Sequence, residues 1–479
     1  IGSDSWIASG VSIDTRSLQP GDLFVALKDA RDGHDFLDAA FKAGASAALV
    51  SDPRPAPGPT LLVNDALDGL RALGIAARNR SAAKRVGVTG SVGKTSTKEA
   101  LAACLSASAP THASVKSYNN HWGVPLTLAR MRASSAYGVF EMGMNHRYEI
   151  APLSAQVRPD VAIITWIAPA HIENLGSLEA IADEKGDLYS GLASGGAAIV
   201  PGEAPHAARL FSAARAHAAR TLSFGFDVGR DARMLDFSPH PDGGSMAKAD
   251  ILGRIVSYRI GADGVHWAGN SLAALLATAV LGADLDAACA ALEGFTAPAG
   301  RGAVSRLAWK GGVLTVIDDS YNANPASMAA ALASLAARTP ARGGRRIAAL
   351  GDMLDLGAEE AAYHAGLAAP IDQAGVDLVF CAGARMRALW DVLPAHRRGV
   401  YAETAANPTE TAARDAVEAF RASGADGLFG LGGGSSMDMA KAVGLMATHD
   451  GPYERYGGTQ GGRKHIGKIP PLVAIPTTA

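Results

Sequence analysis

RVGVTGSVGKTSTKEAL, residues 85–101, decides how the chain is read. Val86, Val88 and Thr89 are β-branched and suit a strand. Gly90, Ser91, Val92 and Gly93 make a tight turn, and Lys94 to Leu101 read as the first turns of a helix. Strand, glycine turn and helix form an anion cradle. Backbone N–H groups and the positive helix end converge on one point, and the glycines let a phosphate come close. Lys94 is placed to reach β- and γ-phosphates, and the Thr95 hydroxyl to ligate Mg²⁺. Thr89 and Ser96 flank the loop. The full eight-residue pattern has glycine where Val88 stands, which leaves the shorter Gly-x-x-Gly-Lys-Thr. The bland alternative is an ordinary glycine turn.

The 479 residues suit about three domains at ~150 residues each. Apolar residues make up 48%, enough for several cores, and 44 Lys+Arg against 46 Asp+Glu argue against nucleic-acid binding as the main task. Cys104, Cys289 and Cys381 fit neither a zinc site nor a disulfide framework, so a reducing cytoplasm is expected. No signal peptide is read. The apolar run Leu272 to Leu281 is too short to span a bilayer.

Working outward, residues 1–83 mix short strands and helices around the Pro-rich loop SDPRPAPGPT at Ser51. From residue 84, apolar strands (YGVFEMG at Tyr137, DVAIITWI at Asp160, GAAIVP at Gly196) alternate with helices, as α/β layers do. PDGGSMAKADI at Pro241 reads as a hairpin at a sheet edge, and Asn270 to Leu292 as a helical stretch broken near Gly282. PAGRG at Pro298 reads as a linker into a third α/β region with strands at Val313, Arg346 and Asp377.

Several residues offer chemistry, each with a bland reading beside it. Glu141 ends a strand next to the cradle and suits Mg²⁺, or is a surface carboxylate. His171 follows DVAIITWI, or is structural. Lys185 lies on a helix; a lysine joins a metal site only after losing its charge, for instance as a carbamate, and is otherwise solvated. In DDSYNANP, Asp318 and Asp319 suit ribose hydroxyls, while the whole stretch equally suits a turn. Arg301 in the linker would reach a γ-phosphate or stay solvated.

TGSVGKTSTKE at Thr89, SYNNHWGVPLTL at Ser117, FEMGMNHRYEI at Phe140, PAHIENLGSLEAIADEKGDLYSGL at Pro169, DDSYNANPASM at Asp318 and ALGDMLDLG at Ala349 together resemble the Mur ligases. These are ATP-dependent enzymes of peptidoglycan assembly. The likeness is to the branch that adds D-alanyl-D-alanine to UDP-N-acetylmuramoyl-tripeptide. SIDTRSLQPGDLFVAL and DGHDFLDAAFKAGA resemble the UDP-binding domain of the family. The resemblance implies an α/β, three-domain architecture: a UDP-substrate domain over 1–83, a central P-loop ATPase-like domain over 84–297 and a Rossmann-like third domain over 298–404. It implies ATP contacts from Thr89, Gly90, Ser91, Val92, Gly93, Lys94, Thr95, Ser96, Asn270, Arg301 and Asp319. Two Mg²⁺ would be held by Thr95, Glu141, His171 and a carbamylated Lys185, with Lys94, His171 and Lys185 catalytic. Ser12, Thr15 and Arg16 would lie near the UDP moiety, and Asn119 and Asn120 near the muramoyl group. His266-Trp267 stands where the family more usually has His-Asn. A cytoplasmic monomer without nucleic-acid or membrane partners is implied.

After about Thr404 the chain resembles something else. Residues from Ala406, and KIPPLVAIPTTA at the end, resemble the N-terminal part of iron-containing alcohol dehydrogenases. There Gly432, Gly433, Gly434 and Ser435 match a loop that contacts the NAD pyrophosphate. The metal-binding residues of that family fall beyond Ala479, so a complete dehydrogenase site is not expected. Two other readings follow: a nucleotide-binding hybrid remnant without turnover, and an NAD-binding oxidoreductase fragment. The resemblance implies that the third domain ends with a strand and a Lys-Gly-Ser loop, which is not found here; SGADGLFGLGGGSSMDMAKAV is itself strand, glycine loop and helix, so it is expected to fill that place in the third domain's sheet.

Overall fold

The structure, a computed structural model, describes residues 5–115, 117–240, 243–309, 312–341, 343–394, 409–424, 428–432, 434–456, 462–470 and 472–476. It divides into two compact units, Ile1–Ala297 and Pro298–Ala479.

The first unit opens with a four-stranded parallel sheet, β1 (Gly10–Ser12), β2 (Asp22–Val25), β3 (Ala47–Val50) and β4 (Thr60–Leu62), in chain order. β2 and β3 are buried at every position, as strands covered on both faces must be. Their core continues through Leu70 into Leu126 and Ala129 of helix Gly123–Arg130, which ties this sheet to the larger layer.

That layer is built from β5 (Lys84–Thr89), β6 (Thr111–Ala113), β7 (Tyr137–Glu141), β8 (Val161–Ile164), β9 (Ala197–Pro201), β10 (Arg220–Gly225), β11 (Ala232–Pro239), β12 (Ser245–Ile251) and β13 (Arg254–Ile260). The order is β13-β12-β11-β10-β9-β8-β5-β7-β6. β6 through β11 with β5 run parallel, and β12 and β13 add an antiparallel edge. The hairpin expected at a sheet edge is this pair; Pro241 and Asp242 lie outside the described residues. The chain leaves β5 toward β7 and β6 and then returns to β8 on the other side. β5 is therefore the switch point where open α/β sheets bind ligands, at the carboxyl ends of the strands. The expected helical stretch is two helices, His266–Val280 and Leu285–Glu293, broken at Gly282 (φ +73°) and restarted by Asp284 accepting from the N–H of Ala287 at 3.0 Å. Trp267 is fully buried against Phe295, with ring centroids 5.0 Å apart, so that position serves the core.

The second unit carries the antiparallel pair β14 (Ala303–Trp309) and β15 (Gly312–Asp318), the parallel pair β16 (Ile347–Gly351) and β17 (Leu378–Ala382), and the parallel pair β18 (Leu428–Gly432) and β19 (Leu472–Pro476). Asn324 and Ser327 form a capping box that starts helix Pro325–Ala336. The expectation for the dehydrogenase-like segment needs refinement. β18 is a paired strand, but its ladder partner is β19 of the same segment; β16 lies beside it with Cα atoms within 8 Å. Helices Glu410–Ala422 and Gly434–Met446 bury Ala413, Ala416, Val417, Met439 and Val443 in a cluster of their own, distinct from the one around Leu350, Ile371 and Val379. The segment's amphipathic helices satisfy one another, so it does not need the ligase-like core to bury its apolar faces. Gly427 lies outside the described residues.

Candidate active site

β5 runs into Gly90 (φ +152°) and Gly93 (φ +80°), and helix Lys94–Ser106 starts at once. A Cβ at Gly90 would stand 1.9 Å from Thr165 Oγ1, so only glycine fits. Thr165 donates to the carbonyl of Thr89 (3.2 Å) and to that of Val92. The N–H of Ser91 donates to Trp166 O (2.8 Å) and its hydroxyl to Ala168 O (2.9 Å). The residues leaving β8 thus clamp the loop from one side. Lys94 Nζ folds back to Gly90 O at 2.6 Å, over the mouth of the turn.

On the other side β7 brings Glu141, which faces Val88 across the ladder and is 1% exposed. Thr95 Oγ1 donates to Glu141 Oε2 at 2.7 Å, and Asn119 Nδ2 to Oε1 at 2.7 Å. Ser117 Oγ lies 3.5 Å from Thr95 Oγ1. A buried carboxylate and a hydroxyl at a phosphate loop are hard oxygen donors of the kind Mg²⁺ takes. Thr95 and Glu141 are therefore brought together as expected. Asn119 holds the carboxylate, and Asn120 Oδ1 accepts from the N–H of Gly123, the first residue of helix Gly123–Arg130, at 2.9 Å.

Lys185 is 2% exposed on helix Leu178–Gly186. Burial drives its amine well below the usual lysine range, and the Lys94 charge pushes the same way against Glu184. Lys185 is therefore buried in the fold and not on a solvated helix face. Glu184, 4% exposed, accepts from the backbone N–H groups of Tyr148 (2.6 Å), Glu149 (2.9 Å) and Ile150 (2.9 Å). It pins the Lys185 helix to the start of helix Ile150–Val157. His171 (φ +58°) begins the short helix Ile172–Leu175, three positions after Ala168. Among the described residues no three His, Cys, Asp or Glu side chains gather into a metal site, and the expected set contains only two of those types.

Asn270 comes from the opposite layer. Its Oδ1 accepts from Thr97 Oγ1 at 3.2 Å and lies 2.8 Å from where a Cβ at Gly93 would be. Its Nδ2 is buried and, among the described residues, has no hydrogen-bond partner; the same holds for Thr89 Oγ1. Orphaned donors beside an anion loop fit a bound nucleotide. Burial holds the His266 imidazole down to about 4, hence neutral.

A cleft of about 380 Å³ opens between the N-terminal sheet and the central layer, lined by Val11, Ser17, Asp22, Val115, Tyr118 and Arg130 among others. Ser12 ends β1, and Thr15 and Arg16 sit on the turn that follows. The Ser12 hydroxyl is spent on Asp14 O (3.0 Å), and exposed Arg16 grips Asp14 (2.6 Å).

In the second unit Arg301 and Asp319 share one corner. The Arg301 guanidinium carbon stands 4.0 Å over the Tyr321 ring, and Asp318 Oδ2 accepts from Gly300 N at 3.1 Å. Burial pushes the Asp319 carboxyl up to about 6 despite the opposing charge of Arg301. Gly432 ends β18, Gly434 and Ser435 open the next helix, and Gly433 lies outside the described residues.

Thr165, Glu184 and the hold of Asn119 on Glu141 escaped sequence reasoning. Nothing local distinguishes them; only strand order puts them at the cradle.

A P-loop at a switch point, flanked by a buried strand-end carboxylate and a buried lysine, defines an ATP-using α/β enzyme. The chain belongs to the Mur ligase family. The family model for the Mur ligase middle domain matches residues 88–278, and the model for iron-containing alcohol dehydrogenase matches 378–479, starting upstream of the boundary expected near 405. The chain is 36% identical over 388 residues to UDP-N-acetylmuramoyl-tripeptide–D-alanyl-D-alanine ligase of Escherichia coli K12, covering 79% of this chain and 82% of that one. It is 34% identical over 381 residues to the enzyme of that name from Bacillus subtilis 168, covering 79% and 80%. The crystal structure of MurF from Acinetobacter baumannii superposes with a TM-score of 0.73 at 29% identity, over 86% of this chain and 87% of that one.

Proposed function

We propose that the protein is an ATP-dependent ligase joining D-alanyl-D-alanine to UDP-N-acetylmuramoyl-tripeptide in peptidoglycan precursor synthesis. The observation that carries this is the meeting of Lys94 and the buried Thr95–Glu141 pair at one glycine loop. A carboxylate is a poor electrophile. Attack of the tripeptide's terminal carboxylate oxygen on the γ-phosphorus, with ADP leaving, makes an acyl phosphate. The dipeptide amine then attacks the acyl carbon, phosphate departs and a proton is lost.

Lys94 and the loop N–H groups offset the phosphate charge as it builds. Thr95, Glu141, His171 and Lys185 would hold Mg²⁺, which when bound screens the repulsion between the anionic carboxylate and phosphates. Burial pushes the Lys185 amine toward its uncharged form, the form whose electron pair can take up CO₂ as a carbamate, which would supply the oxygens that an amine lacks. Asn270 Nδ2 would meet the nucleotide, and the cleft at Val11 and Arg130 would take the UDP moiety. Arg301 and Asp319, the residues expected to contact ATP, belong to the unit that begins at Pro298. Three free thiols suit a cytoplasmic enzyme, and a monomer completes the reading.

The test is phosphate release by the full chain. Release that needs both UDP-N-acetylmuramoyl-tripeptide and D-alanyl-D-alanine supports the proposal. ATP binding without turnover points to a remnant whose foreign C-terminal segment cost it the reaction.

A further inference from the structure

Lys98 lies one turn beyond Thr95 on the same helix, and its side chain is 0% exposed. Lysine is almost never buried this completely without a purpose for its donors. Its Nζ donates to the carbonyl of Ser114 at 2.6 Å and to Glu99 Oε1 at 2.6 Å. Ser114 is the first residue after β6, and its hydroxyl accepts from the backbone N–H of Glu141 at 3.2 Å. The chain that follows delivers Ser117 to 3.5 Å from Thr95 Oγ1 and Asn119 to 2.7 Å from Glu141.

One buried amine therefore ties the cradle helix to the root of the loop that aims the Glu141 carboxylate. A leucine or methionine would fill the space equally well but would leave Ser114 O unpaired and the loop root free to shift.

We propose that Lys98 is a positioning residue for the phosphate and metal end of the site. Through Ser114 it fixes the distance between Thr95 and Glu141, and it touches neither nucleotide nor metal itself. This rests on the ligase reading above, in which those two residues hold Mg²⁺. Partners that orient a metal ligand are worth 10- to 100-fold in affinity or activity.

The test is calorimetric binding of ADP, with and without Mg²⁺, to the full-length chain and to Lys98→Met. The wild type is expected to bind ADP more tightly with Mg²⁺. In Lys98→Met that enhancement is expected to fall by about 10-fold, while metal-free ADP binding stays within about 2-fold. Ligation should lose kcat rather than gain KM for the UDP substrate. An unchanged Mg²⁺ enhancement in a folded Lys98→Met, even with a lower melting temperature, makes Lys98 purely structural and overturns the proposal. If Lys98→Met does not fold, Ser114→Ala removes only the hydroxyl that holds Glu141 N. A several-fold weaker enhancement there supports the relay, and no change overturns it. A wild type whose ADP affinity ignores Mg²⁺ would instead sink the underlying site assignment.

Discussion

The molecule contains the strand–glycine–helix arrangement twice, and the two copies differ in everything around the glycines. At β5 the strand sits inside a nine-stranded sheet, and both neighbours bring side chains to the loop: Thr165 after β8 on one side, Glu141 at the end of β7 on the other. At β18 the strand pairs, among the described residues, with β19 alone, and neither a lysine nor a threonine directly follows the glycines; Ser435, Ser436 and Met437 do. The first loop is held in a shape that only glycine can take. At the second, a Cβ added to Gly434 meets nothing within 4 Å among the described residues. An anion cradle is thus less a property of glycines before a helix than of what neighbouring strands aim at them.

The sharpest way to break this comparison is Lys94→Ala. It should lower ligation by about 10³-fold, the scale of losing a charge-stabilising donor, read as kcat for phosphate release. A fully active variant removes the phosphate assignment altogether.

Gly90→Ala comes next. It forces a non-glycine residue to φ +152° and drives its Cβ into Thr165. The expected cost is at least about 1–3 kcal/mol of stability and loss of nucleotide binding, seen by thermal melts with and without ADP.

The third concerns the second unit and its pH response. Asp319 has a folded pKa of about 6 against an ordinary 3.8, so between those values the folded state holds a proton that the unfolded chain has released. Stability from this group is therefore greatest below pH 4 and falls as pH rises to 6, by at most about 2 kcal/mol once partial exposure is allowed for. Asp319→Asn should flatten that part of the stability profile in denaturant titrations from pH 4 to 7.

The smallest effect sharpens the contrast with Gly90. Gly434→Ala should change melting and ligation by no more than about 0.5 kcal/mol, because the added methyl group meets open space. A loss comparable to that of Gly90→Ala would show the second loop to be as constrained as the first.

Much of the candidate site is legible in the residues alone. Gly90, Gly93, Lys94 and Thr95 declare themselves by type and spacing, and Glu141 by its place at the end of an apolar run. His171 and Lys185 stand out as candidates with bland alternatives, and the family resemblance gives them expected roles and adds Asn270. The break at Gly282 and the edge hairpin follow from local composition too. The foreign segment is visible in the sequence, but its self-contained core is not: the pairing of Val417 with Met439 and Val443 depends on how two helices meet. The same limit hides Glu184, whose role rests on backbone N–H groups some 35 positions away, and Lys98, which looks like any surface lysine on a helix.

By itself the sequence determined the torsional possibilities and the chemical inventory. Positive φ at Gly90 and Gly93, donors at Lys94 and Thr95, and the order of strands and helices are all local, because they depend on side-chain type and near neighbours. Only the tertiary structure decided which charges lose their water. Once β7 and β8 settled on either side of β5, Glu141, Glu184, Lys98 and Lys185 were buried beside specific partners. Desolvation and Coulomb interaction depend on distance and surroundings, which no single stretch of chain contains.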